Sequence, residues 1–264
     1  MPELAEVEYI RKQWNVGLGK KVTKVMFHPK ARIFRGIEAG EFEKALTGAK
    51  LISSEARGKQ MIFRFSTATL GIHLGMTGEL EVEKAGFEPG RHDHLVLVQA
   101  KQALVFSDTR LFGRVLFARG KADPQWWKDL PPAIASKEFT EEAMAAFLKR
   151  RKGAPIKAVL LMQERFPGVG NWMADEILWQ ARISPRRLSG KLSEEEVSVL
   201  WKTIRHVCKE AVRIIGKDWG DPPDSWLINH RWKHGNDCPR CGLALARAEI
   251  GGRTTCWCKK CQAR

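Results

Sequence analysis

No run of about 18 uninterrupted apolar residues occurs in the chain, which argues against a membrane-spanning helix. The opening residues, Met1-Pro2-Glu3-Leu4-Ala5-Glu6, lack the basic and apolar regions of a signal peptide, so a cytoplasmic, nucleoid-associated protein is expected. Internal repeats and low-complexity tracts are absent. Cysteine is sparse and poorly spread for a secreted disulfide scaffold: Cys208 lies alone in a helical pattern, while Cys238, Cys241, Cys256, Cys258 and Cys261 crowd the last stretch. Acidic residues are short as well. Thirty Asp and Glu against 45 Lys and Arg leave a net charge of +15, which calls for a polyanionic partner, either nucleic acid or an acidic membrane surface. Apolar residues are not lacking. At 44% of 264 residues they suffice for a sizeable core divided between two domains, and a disordered chain is excluded.

Leu4, Val7, Ile10, Arg11 and Trp14 recur at three- and four-residue spacings, predicting an amphipathic helix from Pro2 to about Val16. From Lys21 to about Ala118 the pattern changes to short apolar runs broken by glycines and charges, which reads as an antiparallel sandwich or barrel. Gly120 to Ala135 holds Pro124, Pro131 and Pro132 without periodicity and reads as a linker. Helices follow. Phe139 and Thr140 suit the staple and cap of one carrying Met144, Phe147 and Leu148, and a second begins near Pro155 with Ile156, Val159 and Leu160 on one face. A third carries Met173, Ile177, Leu178 and Ala181 and stops before Pro185. In the fourth, Ser193 and Glu196 form a capping box, and Val197, Leu200, Trp201, Ile204, Val207, Ala211 and Ile214 make an apolar stripe bordered by Cys208.

Cys238-Pro239-Arg240-Cys241 and Cys258-Lys259-Lys260-Cys261 are two C-x2-C knuckles sixteen residues apart, the spacing of a four-thiolate zinc ribbon. So small a segment cannot bury enough apolar surface alone, so metal binding, worth about 10–16 kcal/mol, would supply its folding free energy. Using Cys256 in place of Cys258 would strain the knuckle, so Cys256 is the spare. The ion could be structural only. Residues 230–264, however, carry Arg231, Lys233, Arg240, Arg247, Arg253, Lys259, Lys260 and Arg264 against Asp237 and Glu249, and a ribbon this basic should lie against phosphates.

Pro167-Gly168-Val169-Gly170-Asn171 separates two helices. Either it is an ordinary interhelical turn, or its glycines leave backbone N–H groups open to an anion at the following helix N-terminus, with Asn171 capping the helix or donating its amide to a phosphate oxygen. At the start of the chain, removal of Met1 would expose Pro2 as a secondary amine. An α-amino group has a reference pKa of about 8, so part of it is unprotonated near neutrality and available to attack C1′ of a sugar, forming an iminium. Glu3 could then move protons to the ring oxygen or the leaving base. Pro2 and Glu3 also fit an unremarkable helix start.

Taken together, Pro2-Glu3-Leu4-Ala5-Glu6-Val7-Glu8, the 167–171 turn and the ribbon ending Arg253-Thr254-Thr255-Cys256-Trp257-Cys258-Lys259-Lys260-Cys261-Gln262 resemble the formamidopyrimidine-DNA glycosylase/endonuclease VIII family across the whole chain. The resemblance implies an α+β fold: an N-terminal antiparallel β-sandwich with a leading helix (1–120), a linker (121–135), a helix-two-turn-helix domain (136–229) and a zinc finger (230–264), with DNA in the cleft. It implies excision of oxidised bases followed by strand cleavage at the abasic site through β,δ-elimination. By matching motif, Pro2 resembles the nucleophile, Glu3 the acid/base, Glu6 the second carboxylate of the terminal motif, and Lys59 the lysine that reaches phosphate near the lesion. Asn171 and Arg253 match phosphate-gripping residues. Met76, Arg110 and Phe112 resemble the set that fills the space left by a flipped base, where Met and Phe suit a wedge and Arg suits the orphaned base. Cys238, Cys241, Cys258 and Cys261 would hold one structural Zn2+.

The chain departs from the family pattern at three places, and the third bears on substrate. Ala5 replaces a usual proline, Leu111 stands where many relatives have a second arginine, and Gly216 to Trp226 looks short for the loop that caps 8-oxoguanine. Formamidopyrimidines and further-oxidised purines such as hydantoins are therefore expected to be better substrates than 8-oxoguanine, with oxidised pyrimidines as the alternative. The expected partner is double-stranded DNA containing oxidised bases or abasic sites, bound by a monomer with no membrane association. A non-catalytic binder of damaged DNA on the same scaffold is the rival reading; an RNA-binding ribbon is disfavoured by the absence of an RNP-type aromatic signature.

Overall fold

The computed structural model describes residues 1–232 and 236–263. Lys233 and Arg264, counted above among the basic residues of the ribbon, lie outside the described residues. The chain forms two compact units: Met1–Pro2 with Glu6–Leu130, and Glu3–Ala5 with Pro131–Arg264.

In the first unit the helix α1 (Leu4–Gln13) runs into a 3-10 turn at Trp14–Gly17. Val7 and Trp14 are buried, with Ile10 packed beside them, as the helical spacing requires. Eight strands follow: β1 (Val22–Phe27), β2 (Leu51–Arg57), β3 (Gln60–Phe65), β4 (Ala68–His73), β5 (Gly78–Lys84), β6 (Asp93–Gln99), β7 (Gln102–Asp108) and β8 (Arg114–Arg119). They pair antiparallel into two four-stranded sheets, ordered β1-β6-β7-β5 and β2-β3-β4-β8, so of the two expected forms the sandwich is observed. Phe63, Leu70, Leu97, Leu104 and Phe106 fill its core, where Trp14 lies 4.8 Å from Phe63 between ring centroids.

The run-and-break pattern hid one helix, α2 (Ala39–Leu46). Its signals were local: the Glu38 carboxylate accepts from Gly40 N at 3.1 Å and Glu41 N at 2.6 Å, and Phe42, Ala45 and Leu46 are buried at helical spacing. The expected linker is likewise not wholly irregular, for Gln125–Lys128 forms the short α3 and buries Trp127.

The second unit holds α4 (Glu141–Arg150), α5 (Ile156–Leu160), α6 (Asn171–Gln180) and α7 (Glu194–Asp218). Thr140 caps α4 by accepting from Ala143 N at 3.2 Å, and Ser193 with Glu196 forms the predicted capping box of α7. Leu200, Ile204, Val207, Cys208 and Ala211 of α7 pack with Phe147, Phe166, Met173 and Ile177, so the lone Cys208 is a core residue. Burial pushes its thiol above the ordinary range. The C-terminal hairpin pairs β9 (Ala246–Ile250) with β10 (Arg253–Trp257). Among the described residues no helix is long and apolar enough to cross a membrane.

Candidate functional site

The 167–171 turn does not offer an open anion site. The carboxylate of Glu3, itself only 4% exposed, accepts from Gly170 N (2.8 Å) and Met173 N (3.1 Å) through Oε2 and from Trp172 N (2.9 Å) through Oε1. The orphan N–H groups at the start of α6 are therefore satisfied by an anion from the chain itself. Gly170 is required by close approach: a Cβ there would lie 2.2 Å from Glu3 Cδ. Asn171 is the first residue of α6 rather than its cap, and its Nδ2 donates to Thr254 O at 2.8 Å. Thr254 follows Arg253, which is exposed at the head of β10. Asn171 is thus bonded to the residue that follows Arg253 in the chain.

Beneath that contact is a buried charge network that sequence reasoning missed. Lys157 Nζ donates to Asn171 O at 2.7 Å and to Asp175 Oδ1 at 2.5 Å. Asp175 Oδ2 accepts from Arg231 Nη2 (2.7 Å) and Nε (3.1 Å) and from Cys256 N (3.1 Å). Burial pulls the Lys157 ammonium below the ordinary lysine value, against the opposing pull of Asp175. One carboxylate so links α5, α6, the segment before the ribbon and the Cys256 backbone in β10, while its partner Lys157 holds the Asn171 carbonyl. The available signal was an all-round buried helix, α6, that still contains Asp175 and Glu176. Glu176 accepts from Ile228 N at 3.0 Å, and burial raises its carboxyl to about 7.

Cys238, Cys241, Cys258 and Cys261 converge with all four sulfurs within 4.8 Å of one another. The Cys241–Cys258 and Cys238–Cys261 sulfur separations are 3.5 and 3.9 Å. These bracket the edge of about 3.8 Å for a tetrahedron with metal–sulfur bonds of about 2.3 Å, so the set fits one structural zinc. Cys256 stands outside the cluster, its thiol raised to about 11 by burial. Trp179 Nε1 donates to Cys238 Sγ at 3.4 Å, and Gln262 Nε2 donates to Ile183 O at 3.0 Å; both bonds fasten the ribbon to the helical unit.

In the sandwich unit Pro2 and Glu6 are half-buried at the start of the chain. Lys59, in the β2–β3 turn, is only 8% exposed and is no solvated edge lysine. The neighbouring His73 is held below the ordinary histidine value chiefly by burial and then by the Lys59 charge. His73 Nδ1 accepts from Gly75 N at 3.1 Å, which begins the loop carrying Met76.

Met76 is 42% and Phe112 44% exposed, so neither is a core residue. Their loops touch: a Cβ on Gly75 would fall 2.4 Å from the Phe112 carbonyl carbon, and φ there is +62°. Buried Asp108 organises both loops, accepting from Thr77 Oγ1 (2.7 Å), Arg110 N (3.1 Å) and Gly113 N (2.7 Å). The Arg110 guanidinium lies 4.7 Å from the Phe112 ring centroid.

Three family models cover most of the chain: formamidopyrimidine-DNA glycosylase N-terminal domain over residues 1–115, its H2TH domain over 130–219, and the zinc finger found in FPG and IleRS over 235–264. The chain is 33% identical to the formamidopyrimidine-DNA glycosylase of Carboxydothermus hydrogenoformans over 273 residues, covering 99% of this chain and 100% of that one. It is 34% identical to the enzyme of that name from Thermus thermophilus over 280 residues, covering 99% and 98%. Among solved structures, Lactococcus lactis Fpg with DNA containing an oxidized pyrimidine aligns with a TM-score of 0.88 at 27% identity over all of both chains. The same protein with abasic-site DNA aligns with a TM-score of 0.87 at 27% identity, covering 98% and 99%.

Proposed function

Since the chain belongs to the formamidopyrimidine-DNA glycosylase/endonuclease VIII family, we propose that it is a bifunctional glycosylase/AP lyase of base excision repair that uses Pro2 as its nucleophile. The observation that carries this reading is the state of Glu3. A carboxylate is buried in a cradle of three N–H donors one residue after a proline that becomes a terminal amine when Met1 is removed. Such a group is positioned far more rigidly than a helix start requires, and rigid placement of an acid/base is what proton transfer in a transition state needs.

The Pro2 nitrogen attacks C1′, the bond from C1′ to the damaged base breaks, and the departing base takes a proton. Glu3 delivers a proton to the ring oxygen as the sugar opens, and loss of the amine proton leaves a cationic iminium between Pro2 and C1′. The iminium acidifies C2′; removal of that proton expels the 3′ phosphate, and a second elimination expels the 5′ phosphate. Water finally frees Pro2. Glu6 serves as the second carboxylate, and Lys59 holds a phosphate beside the lesion. Asn171 offers the phosphate its second amide hydrogen, and Arg253 offers its exposed guanidinium. Met76 and Phe112 fill the vacated stack while Arg110 pairs with the orphaned base.

Formamidopyrimidines and hydantoins are the substrates favoured by the short 216–226 stretch. Oxidised pyrimidines are the second reading, favoured by the Lactococcus lactis protein having been solved with such DNA. Borohydride should trap the wild-type chain on abasic-site DNA, and Pro2→Gly should severely weaken the adduct while binding largely persists. Tight binding by the wild-type chain without any adduct would refute the nucleophile, and a panel of single-lesion duplexes ranks the substrates.

A further inference from the structure

Next to the Phe112 loop the sandwich unit has a concavity of about 420 Å3 lined by Arg32, Arg35, Leu111, Phe112, Gly113 and Arg114. Arg32 lies in a 3-10 turn, Arg32–Phe34, whose Ile33 and Phe34 are buried. That anchorage leaves Arg32 and Arg35 exposed on its flanks, and Arg114 is exposed at the head of β8. Two other arginines of this unit have acidic partners: half-buried Arg64 pairs with Asp123 at 2.6 Å and exposed Arg119 with Glu41 at 3.5 Å. Among the described residues Arg32, Arg35 and Arg114 pair with none within 4.0 Å. Guanidiniums gathered round a cavity without a counter-charge repel one another, and an anion between them relieves that repulsion.

The cavity is also joined mechanically to the wedge. Arg32 Nε donates to Leu111 O at 2.6 Å, and its guanidinium carbon lies 5.1 Å from the Phe112 ring centroid. Leu111 has φ of +57°, a left-handed conformation that is unfavourable for a residue with a side chain and persists where surrounding contacts enforce it. The strained loop thus presents an exposed phenylalanine directly beside an uncompensated guanidinium cavity.

We propose that Arg32, Arg35 and Arg114 form a phosphodiester-binding subsite that grips the DNA backbone next to the base step entered by Phe112. The inference rests on the reading of Phe112 as a wedge. Gripping the backbone beside the insertion point resists its retreat, so the kinked duplex is held by charge on the same loop that opens it. No arginine is needed at position 111 for this, because Arg32 brings a guanidinium to that carbonyl from another segment.

The test uses the zinc-loaded full chain and a duplex carrying a tetrahydrofuran abasic analogue. Arg32 is left in place because it shapes the loop, and Arg35→Gln/Arg114→Gln is compared with Arg35→Lys/Arg114→Lys. Each lost phosphate contact should flatten the slope of log K against log salt by about 0.9, which is about 3.5-fold between 50 and 200 mM. The glutamine pair, which loses two contacts, should flatten the slope by about 1.8, about 12-fold over that range, and the lysine pair should not. A single methylphosphonate, moved through the linkages flanking the analogue on both strands, should weaken the wild-type chain at one or two positions and leave the glutamine pair indifferent there. An unchanged slope in the glutamine pair overturns the proposal. Competition by inorganic phosphate at fixed ionic strength with no linkage dependence also overturns it, assigning the cavity to free phosphate. Borohydride trapping of the wild-type chain is run in parallel: its failure would count against the glycosylase reading, whereas the slope and linkage scan report on the cavity alone.

Discussion

The dual position of Glu3, acid/base by motif and helix cap by geometry, makes Glu3→Gln a test of stability as well as of activity. Oε2 accepts from Gly170 N and Met173 N, and Oε1 from Trp172 N. A glutamine keeps one oxygen. With that oxygen toward the first pair, its NH2 faces the Trp172 N–H and leaves a buried donor unsatisfied, at about 1–3 kcal/mol. Loss of the negative charge at the N-terminus of α6 adds about 0.3–1 kcal/mol. The variant should lose about 1.3–4 kcal/mol, a drop on the order of 10 °C in the melting of the helical unit. Calorimetry of the zinc-loaded chain, with tryptophan fluorescence in urea as a second probe, measures the loss. Gly170→Ala should reproduce it with the carboxylate chemically intact, because a Cβ 2.2 Å from Glu3 Cδ must eject the side chain from its cradle. If Glu3→Gln unfolds within about 0.5 kcal/mol of wild type, the cradle contributes no stability and the cap argument fails.

Removing zinc with a chelator should release one ion per chain and expose the four ligand thiols, with Cys256 as the ribbon unfolds, to a thiol reagent, with DNA affinity falling in parallel. Four thiols that react in the untreated protein would contradict the closed site. For Glu176, the folded carboxyl lies near 7 against an ordinary 4.5, so its neutral form contributes stability that is complete below pH 4.5 and is lost as pH rises through 7. Between pH 5.5 and 8.5 the wild-type chain should lose about 2 kcal/mol relative to Glu176→Gln, as followed by urea unfolding; a pH-independent difference would refute the burial argument. Arg253→Ala should flatten the salt dependence of DNA binding by about one unit of slope, and an unaltered slope would remove its phosphate role.

What the sequence revealed and what it concealed differ in physical range. The capping box at Ser193 and Glu196, the Thr140 cap and the two C-x2-C knuckles are local: every partner lies within a few residues, and spacing alone predicts the geometry. Helix α2 was local too, but its eight residues fall among strand-like runs and its acidic cap, Glu38, is not a usual capping residue. The contacts that build the candidate site are long-range. Glu3 reaches residues 167 to 170 positions away, Lys157 finds Asp175 across two helices, and Asp175 meets Cys256 in the hairpin. The 167–171 glycines left an ordinary interhelical turn and an anion-binding turn both open, and nothing in the local pattern said that the anion would be Glu3. The same limit applies to Arg32 and Leu111, which are 79 residues apart and joined by one hydrogen bond. Local patterns therefore predicted which elements form, while the assignment of a charged side chain to a core, a cap or a ligand depended on folding that brings distant partners together. Where a charged residue is buried without a local partner in the sequence, as with Asp175 inside α6, the physical cost of leaving it unpaired is itself a prediction that a distant counter-charge exists.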